Sequence, residues 1–277
     1  MVDKLPRSIK VKVDGLSISC LFRKAGGESI VFIHGLGASK ETFLEVFELG
    51  EFQSFTVLAA DLVGFGDSDK PVDFSYLMKD QAKILRKTID FFDLGCLHVV
   101  AHSMGGIIGI ELGEMVPDRI LSFIDAEGNI TAEDCTMSKQ VEEMGEEHFT
   151  REGLEQLKSS IAEESERSKN DVLKDYLKSL SKATPKSLYK SVVSTVQESY
   201  HGGLLERFAQ LPFYKCYIYG ERNKDVFPAE ELLREQGIPV FYVSGSGHSM
   251  MKENPNEFYG LVMDTVSRCS RKCASDS

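Results

Sequence analysis

The sequence contains no tryptophan, no run of Lys or Arg longer than two residues, and no apolar stretch near the roughly 18 residues of a membrane-spanning helix. Its 277 residues carry 43 Asp and Glu against 32 Lys and Arg, a formal net charge of −11. Surfaces that follow a phosphate backbone or adhere to anionic lipid need clustered positive charge. We therefore expect a soluble protein that binds neither nucleic acid nor membranes.

Cysteine motifs are also absent. Six cysteines are scattered along the chain, and only Cys269 and Cys273 lie close together. Zinc sites and disulfide scaffolds use regular short cysteine spacings, so we predict reduced thiols, no metal and no cofactor. A disulfide or metal pair at Cys269 and Cys273 is the alternative. The first ten residues lack the apolar segment of a secretory signal, and we expect a cytoplasmic location.

Strand-like and helix-like patterns alternate along most of the chain. Residues 8–13 and 16–22 flank an Asp-Gly pair and predict an antiparallel hairpin. Continuous apolar runs, typical of buried parallel strands, follow at residues 29–33, 55–60, 96–101, 120–125, 214–219 and 240–243. This order predicts an α/β fold with a mostly parallel, eight-stranded sheet covered by helices.

Residues 128–205 interrupt the alternation because they contain helical patterns but no convincing strand. Asn170 is predicted as the N-cap of one helix, and Thr184 followed by proline as the start of another. The acidic residues are concentrated in this segment, and we expect them on its solvated outer face. We predict two units: a core at 1–128 and 206–277, and a helical insertion at 129–205.

The most informative segment is AHSMGG at residues 101–106, which lies between a buried strand and a helix. Such a tight turn from strand to helix forces its central residue, Ser103, into a strained conformation and exposes it at the helix N-terminus. That end of a helix favours developing negative charge. Ser103 is therefore predicted to be a nucleophile.

This segment resembles the nucleophile turn of the α/β-hydrolase superfamily, in particular its lipase and esterase branch, whose turn often reads GHSMGG. Two other motifs are similar to that family: HGLG at 34–37, the oxyanion turn, and DLVGFGDS at 61–68, a structural turn. The resemblance covers residues 32 to about 258. It implies that the backbone N–H groups of Leu36 and Met104 bind the oxyanion.

A serine nucleophile needs a base, and His248 is the strongest candidate. It lies in SGSGHSMM at 244–251, which matches the family's G-x-G-H turn before the last helix. The other histidines have lesser roles: turns for His34 and His102, the core for His98, and the insertion, where they could touch substrate, for His148 and His201.

The acid that orients the base has two candidate positions. The commonest family position is in GERNKDVFP at 220–228, where Asn223 replaces the expected Asp and Asp225 lies close by. The second is the end of the sixth strand, where Glu127 follows Ser103 by 24 residues, an offset that resembles the haloalkane dehalogenases. Asn223 could not stabilise an imidazolium, and a carboxylate at the end of a strand beside a glycine is well placed to reach His248, so we favour Glu127, with Asp225 as the alternative.

The resemblance implies a serine hydrolase that cleaves a small carboxylic ester through an acyl-enzyme, with the insertion as a helical cap over the site. A carbon–carbon bond hydrolase, a thioesterase or a non-catalytic ligand-binding or receptor protein is the alternative. Epoxide hydrolases and dehalogenases of this superfamily use an Asp nucleophile, and dehalogenases commonly bind halide with Trp, so we disfavour both. The partner is a small-molecule substrate; its identity and the oligomeric state stay open.

Overall fold

The structure is a computed structural model, and it describes residues 6–270. Eight strands form one sheet: β1 (Arg7–Val13), β2 (Leu16–Arg23), β3 (Ser29–Ile33), β4 (Thr56–Ala60), β5 (Leu97–His102), β6 (Ile120–Ala126), β7 (Tyr214–Gly220) and β8 (Val240–Val243). Their order is β1-β2-β4-β3-β5-β6-β7-β8. The pairs β1/β2 and β2/β4 are antiparallel and the other five are parallel. The predicted fold class is confirmed.

The α-helices are α1 (Met78–Phe91), α2 (Met104–Met115), α3 (Thr136–Glu143), α4 (Glu146–His148), α5 (Leu154–Ser168), α6 (Asp171–Leu180), α7 (Pro185–His201), α8 (Leu204–Gln210), α9 (Ala229–Glu235), α10 (Met250–Glu253) and α11 (Pro255–Cys269). Short 3₁₀ helices span Lys40–Phe47, Gly50–Phe52, Pro117–Arg119, Ala132–Cys135 and Glu221–Asn223, and a π-helical turn spans Phe149–Gly153. In the part of the chain described, no helix combines the length and apolar content needed to cross a membrane.

The central strands are buried on both faces, which explains their continuous apolar sequence. Every residue of β3, β4 and β5 is buried. In β3, Val31 and Ile33 contribute to the core on one face, while Ile30 and Phe32 contribute to the core on the other. This alternation follows the two-residue period of a strand, and burying each large side chain contributes about 1.5–3 kcal/mol.

The segment between β6 and β7 is helical, and its helices begin where their caps predict. The Asn170 side chain accepts a hydrogen bond from the backbone N–H of Val172 (2.9 Å), and Thr184 forms a capping box with Ser187. Helix α7 also contacts the core, because the Ser187 hydroxyl donates to the carbonyl of Gly64 (2.9 Å). The division into a core and a separate insertion stays a prediction.

The cysteines differ in part from expectation. Cys20, Cys135 and Cys216 carry free thiols, and burial raises the pKa of Cys20 to about 12. Cys96 is disulfide-bonded, so the prediction that all six thiols are reduced is wrong for this residue. The predicted alternative pair of Cys269 and Cys273 cannot be compared with the structure, because Cys273 lies outside the described residues.

Candidate active site

Ser103 occupies the turn between β5 and α2 and has φ 56° and ψ −128°, a conformation that L-residues rarely adopt. Strain of this kind costs about 1–3 kcal/mol and persists only where the surroundings enforce it. The Ser103 N–H donates to the carbonyl of Ala126 (3.1 Å), and the Ser103 carbonyl accepts from Gly106 N–H (2.7 Å). A Cβ on Gly105 would lie 2.6 Å from the carbonyl oxygen of Ile33, so only glycine lets α2 approach β3 this closely. The turn therefore holds Ser103 in its strained conformation.

The two predicted oxyanion residues lie just after strands β3 and β5. Met104 is the first residue of α2, where a backbone N–H has no acceptor within its own helix. Leu36 lies in the turn after β3, and its N–H bonds to no backbone acceptor within residues 6–270. Both residues line the same cavity as Ser103 and His248.

His34 fixes the start of the oxyanion turn. Its Nε2 accepts a hydrogen bond from the backbone N–H of Leu62 (3.0 Å), which leaves Nδ1 to donate to the carbonyl of Gly35 (2.8 Å). The ring is fully buried, and this burial lowers its pKa. His34 thus joins the turn after β3 to the turn after β4 as a neutral imidazole.

An ion-pair network with a buried centre begins just after this turn, at Lys40. The Lys40 Nζ lies 2.8 Å from Asp61 Oδ2 and 3.1 Å from Asp67 Oδ2. Burial alone would lower the pKa of Lys40, but the charge of Asp61 holds it above its usual value. Lys182, just after α6, reaches the other oxygen of Asp67 at 2.9 Å. The turn at 61–68 therefore connects the segment just after the oxyanion turn to the helical segment between β6 and β7.

Helix α6 contacts the oxyanion turn directly. The Tyr176 hydroxyl donates to the carbonyl of Leu36 (3.2 Å), and the Ser39 and Ser179 hydroxyls lie 2.9 Å apart. Gly37 has φ +68°, and a Cβ there would lie 2.8 Å from the Tyr176 hydroxyl oxygen. Glycine therefore provides both the turn conformation and the space for the tyrosine.

His248 is held by Glu127, the acid that the sequence favours. Nδ1 of His248 donates to Glu127 Oε2 at 2.7 Å. The Glu127 carboxylate also accepts from the backbone N–H of Gly220 (2.8 Å) and from Asn223 Nδ2 (3.0 and 2.8 Å). Glu127 is 8% exposed, and both of its carboxylate oxygens accept hydrogen bonds.

The loop after β7 contributes a residue whose role the sequence did not reveal. Asn223 occupies the family's commonest acid position, but it donates to Glu127 instead of contacting the imidazole. The alternative acid, Asp225, is exposed, and its backbone N–H bonds to Glu230 (3.0 Å). The structure thus brings Glu127, and not Asp225, to His248.

His102 contacts both the backbone and the ring of His248. Its Nε2 donates to the backbone carbonyl of His248 (2.8 Å), and the two ring centroids are 4.6 Å apart. Burial, with the nearby His248, lowers the pKa of His102 to about 3. As expected, His98 is buried in the core; His148 and His201 do not line the cavity that contains Ser103.

That cavity has a volume of about 740 Å³. It lies between the carboxyl ends of the parallel strands and the helices α3, α6 and α7, and apolar side chains form much of its wall, among them Leu36, Leu44, Met137, Leu173, Phe227 and Met251. Pockets of about 300–1,000 Å³ take ligands well beyond the size of a simple short-chain ester. Within residues 6–270, no group of three or more His, Cys, Asp or Glu side chains is arranged to hold a metal ion.

Asp125, two residues before Glu127, is a second buried carboxyl group. It is fully buried, and its carboxyl oxygens make no hydrogen bond of normal geometry within the described residues, although the backbone N–H of Gly128 lies close to them. Its side chain fills the space beside Gly106 and Gly128, where an added Cβ would lie 2.5 and 2.2 Å from its oxygens. Burial raises the pKa of Asp125 well above its usual value, and the charge of Asp134 adds to the shift.

We expect the stability of the protein to depend on pH through Asp125. In the folded protein Asp125 keeps a proton that it releases above about pH 4 in the unfolded chain. The stabilisation from this difference is therefore complete below about pH 4 and is lost as the pH rises toward the pKa of Asp125 in the folded protein. Asp125→Asn keeps a neutral side chain of the same shape. Its free energy of unfolding should rise relative to wild type by about 1.4 kcal/mol per pH unit within this window.

Urea unfolding at pH 5, 6.5 and 8 measures this difference. Asp264→Asn, an exposed change on α11, is the matched control for loss of one carboxylate. An Asp125→Asn difference that does not vary with pH would show that Asp125 is already ionised in the folded protein.

A family model described as alpha/beta hydrolase fold matches residues 28–259. The chain is 42% identical over 87 residues to probable lysophospholipase BODYGUARD 4 of Arabidopsis thaliana, covering 31% of this chain and 21% of that protein. It is 32% identical over 98 residues to Lipase 3 of Moraxella sp. (strain TA144), covering 35% of this chain and 30% of that protein. These matches span less than a third of either relative.

Two solved structures match nearly the whole chain. The N-acyl homoserine lactonase AidH superposes with a TM-score of 0.76 at 18% identity, covering 96% of this chain and 98% of that one. A thermophilic esterase from Thermogutta terrifontis superposes with a TM-score of 0.76 at 17% identity, covering 96% and 100%. At this level of identity, the similarity shows a common fold.

Proposed function

The chain belongs to the α/β-hydrolase fold family, and from this premise we propose that it is a serine hydrolase that cleaves a carboxylic ester through an acyl-enzyme. One observation carries the proposal: Ser103, on its strained turn, shares a cavity with His248, whose Nδ1 is bonded to the buried Glu127. The lipase and esterase among the similar proteins agree with ester chemistry.

In the first half of the reaction, the Ser103 hydroxyl oxygen attacks the ester carbonyl carbon. Because Nδ1 of His248 donates to Glu127, Nε2 is the nitrogen free to take the serine proton. The carbonyl oxygen becomes an oxyanion, which the N–H groups of Leu36 and Met104 stabilise. The tetrahedral intermediate then expels the alcohol, which receives its proton from Nε2.

In the second half, water attacks the acyl-enzyme and His248 takes one of its protons. The intermediate collapses, Ser103 leaves with the proton from Nε2, and the carboxylic acid is released. Glu127 stays ionised throughout, and its charge stabilises the imidazolium that forms twice per cycle. Its bonds to Gly220 and Asn223 hold the carboxylate in place while the imidazole changes charge.

A fluorophosphonate probe tests this proposal directly, because it reacts with an activated serine in a formed oxyanion site. We expect one label per chain, located at Ser103 by peptide mass spectrometry, and no label on Ser103→Ala. Prior incubation with an ester substrate should slow the labelling of wild type. A folded wild-type protein that resists the probe would instead support a ligand-binding protein that retains the fold.

A further inference from the structure

The cavity extends to both sides of Ser103, and its two ends differ in chemistry. In the sheet, β5 lies between β3 on one side and β6 and β7 on the other, with strands about 4.8 Å apart. Residues after β3 and on α6 therefore line one end. The opposite end, here named the tyrosine end, is lined by Asn129, Asp134, Cys135, Thr195, Tyr217 and Tyr219.

The hydroxyl of Tyr219 is left unbonded at this end. Tyr217 and Tyr219 are two residues apart on β7, so their side chains lie on the same face of the sheet. The neighbouring Tyr217 hydroxyl donates its single proton to the carbonyl of Gly128 (2.5 Å) and has none left for Tyr219, whose hydroxyl makes no hydrogen bond of normal geometry within residues 6–270. Tyr219 is 1% exposed. A buried hydroxyl without a partner is unfavourable, and a bound ligand can supply the missing bond.

Charge at the tyrosine end restricts what the ligand can be. The ionisable carboxyl groups that line it are Asp134 and, toward Ser103, Glu127, while the lysines that line the cavity (Lys178, Lys182 and Lys252) belong to the other end. The hydrogen bonds that Asp134 accepts within the described residues, from Ile130 and Thr131, all go to Oδ2. An anionic group is therefore disfavoured here, and a group that donates a hydrogen bond is favoured.

We propose that the tyrosine end is a substrate subsite for an uncharged group that both accepts and donates hydrogen bonds, a hydroxyl or a secondary amide. The Tyr219 hydroxyl donates to this group, and Asp134 accepts from it. The inference rests on the proposed function, because the occupant is part of the ester that Ser103 attacks. It narrows the substrate from esters in general to esters with a neutral polar substituent.

The test is a series of aryl esters whose acyl chains have equal length and end in methyl, hydroxyl, N-methylamide or carboxylate. For wild type, kcat/KM is expected to be about tenfold or more higher for the hydroxyl or the amide ester than for its methyl counterpart. The better of the two identifies the substituent. In Tyr219→Phe this preference should disappear. Tyr214→Phe, on the opposite face of β7, is the matched control and should keep it.

Methyl ketone analogues of the same four chains, measured by calorimetric binding, separate the two proposals because they require no turnover. If wild type binds the hydroxyl or amide ketone more tightly than the methyl ketone and Tyr219→Phe does not, the subsite is supported. This result holds even if the protein hydrolyses none of the esters. Such a lack of hydrolysis would refute the hydrolase proposal alone. Preference for the methyl or carboxylate member, or a preference that Tyr219→Phe retains, would overturn the subsite.

Discussion

Ser103→Ala is expected to lower kcat/KM for ester hydrolysis by about 10⁴-fold or more, because the acyl-enzyme cannot form without the hydroxyl. The residual rate should come from the oxyanion site and from substrate binding. The loss should appear in kcat, while KM changes little, since the side chain of Ser103 contributes mainly to the transition state. Steady-state kinetics with an activated aryl ester, under conditions where wild type turns over, provide the measurement.

Ser103→Gly makes this experiment sharper because it separates catalysis from strain. Both variants lack the nucleophile, but only glycine adopts φ 56°, ψ −128° without steric cost. We expect Ser103→Gly to be more stable than wild type by about 1–3 kcal/mol and Ser103→Ala to be close to wild type. If both variants lost stability, their inactivity would reflect disruption of the turn; if Ser103→Ala kept its activity, Ser103 would not be the nucleophile.

Glu127→Gln has the second largest expected effect, a loss of about 10³–10⁴-fold in kcat. A neutral amide cannot stabilise the imidazolium, and its NH₂ group would face the donors Gly220 N–H and Asn223 Nδ2 that now bond to the carboxylate. Asp225→Asn, at the exposed alternative position, should keep kcat within about twofold, as surface changes outside a site usually do.

Kinetics for the two variants, with thermal unfolding as a check of the fold, decide which acid orients His248. Labelling by the fluorophosphonate should be slow in Glu127→Gln and normal in Asp225→Asn. The opposite pattern, with Glu127→Gln nearly fully active and Asp225→Asn inactive, would overturn the assignment of Glu127.

Much of the fold could be predicted from local patterns of apolar residues in the sequence. Strands such as β3 and β8 have the bounds that their apolar runs predict, because burial on both faces leaves a continuous signal in the sequence. Helix α2 begins at Met104, directly after the turn at Ser103, although Gly105 and Gly106 in its first turn provide no apolar periodicity. The turn motif itself contained the better signal for this boundary.

The candidate site could be predicted only where its residues belong to one short sequence motif. The motif around Ser103 is local, but the contact of Asn223 with Glu127 joins residues 96 positions apart, and no local pattern records it. The clue was the departure itself: Asn223 where the family commonly has a carboxylate, together with a second candidate acid, Glu127, at the end of β6. The bond from Tyr176 to Leu36, across 140 residues, likewise depends on how α6 packs.

The Tyr176–Leu36 hydrogen bond connects a wall of the cavity to the predicted oxyanion turn. Helix α6 lines the cavity, and it also holds the carbonyl of the peptide unit that follows the Leu36 N–H. The Ser39–Ser179 and Lys182–Asp67 contacts join the same part of the insertion to the turns after β3 and β4. In the proposed mechanism, the width of the cavity and the position of the Leu36 N–H are therefore set by the same helix.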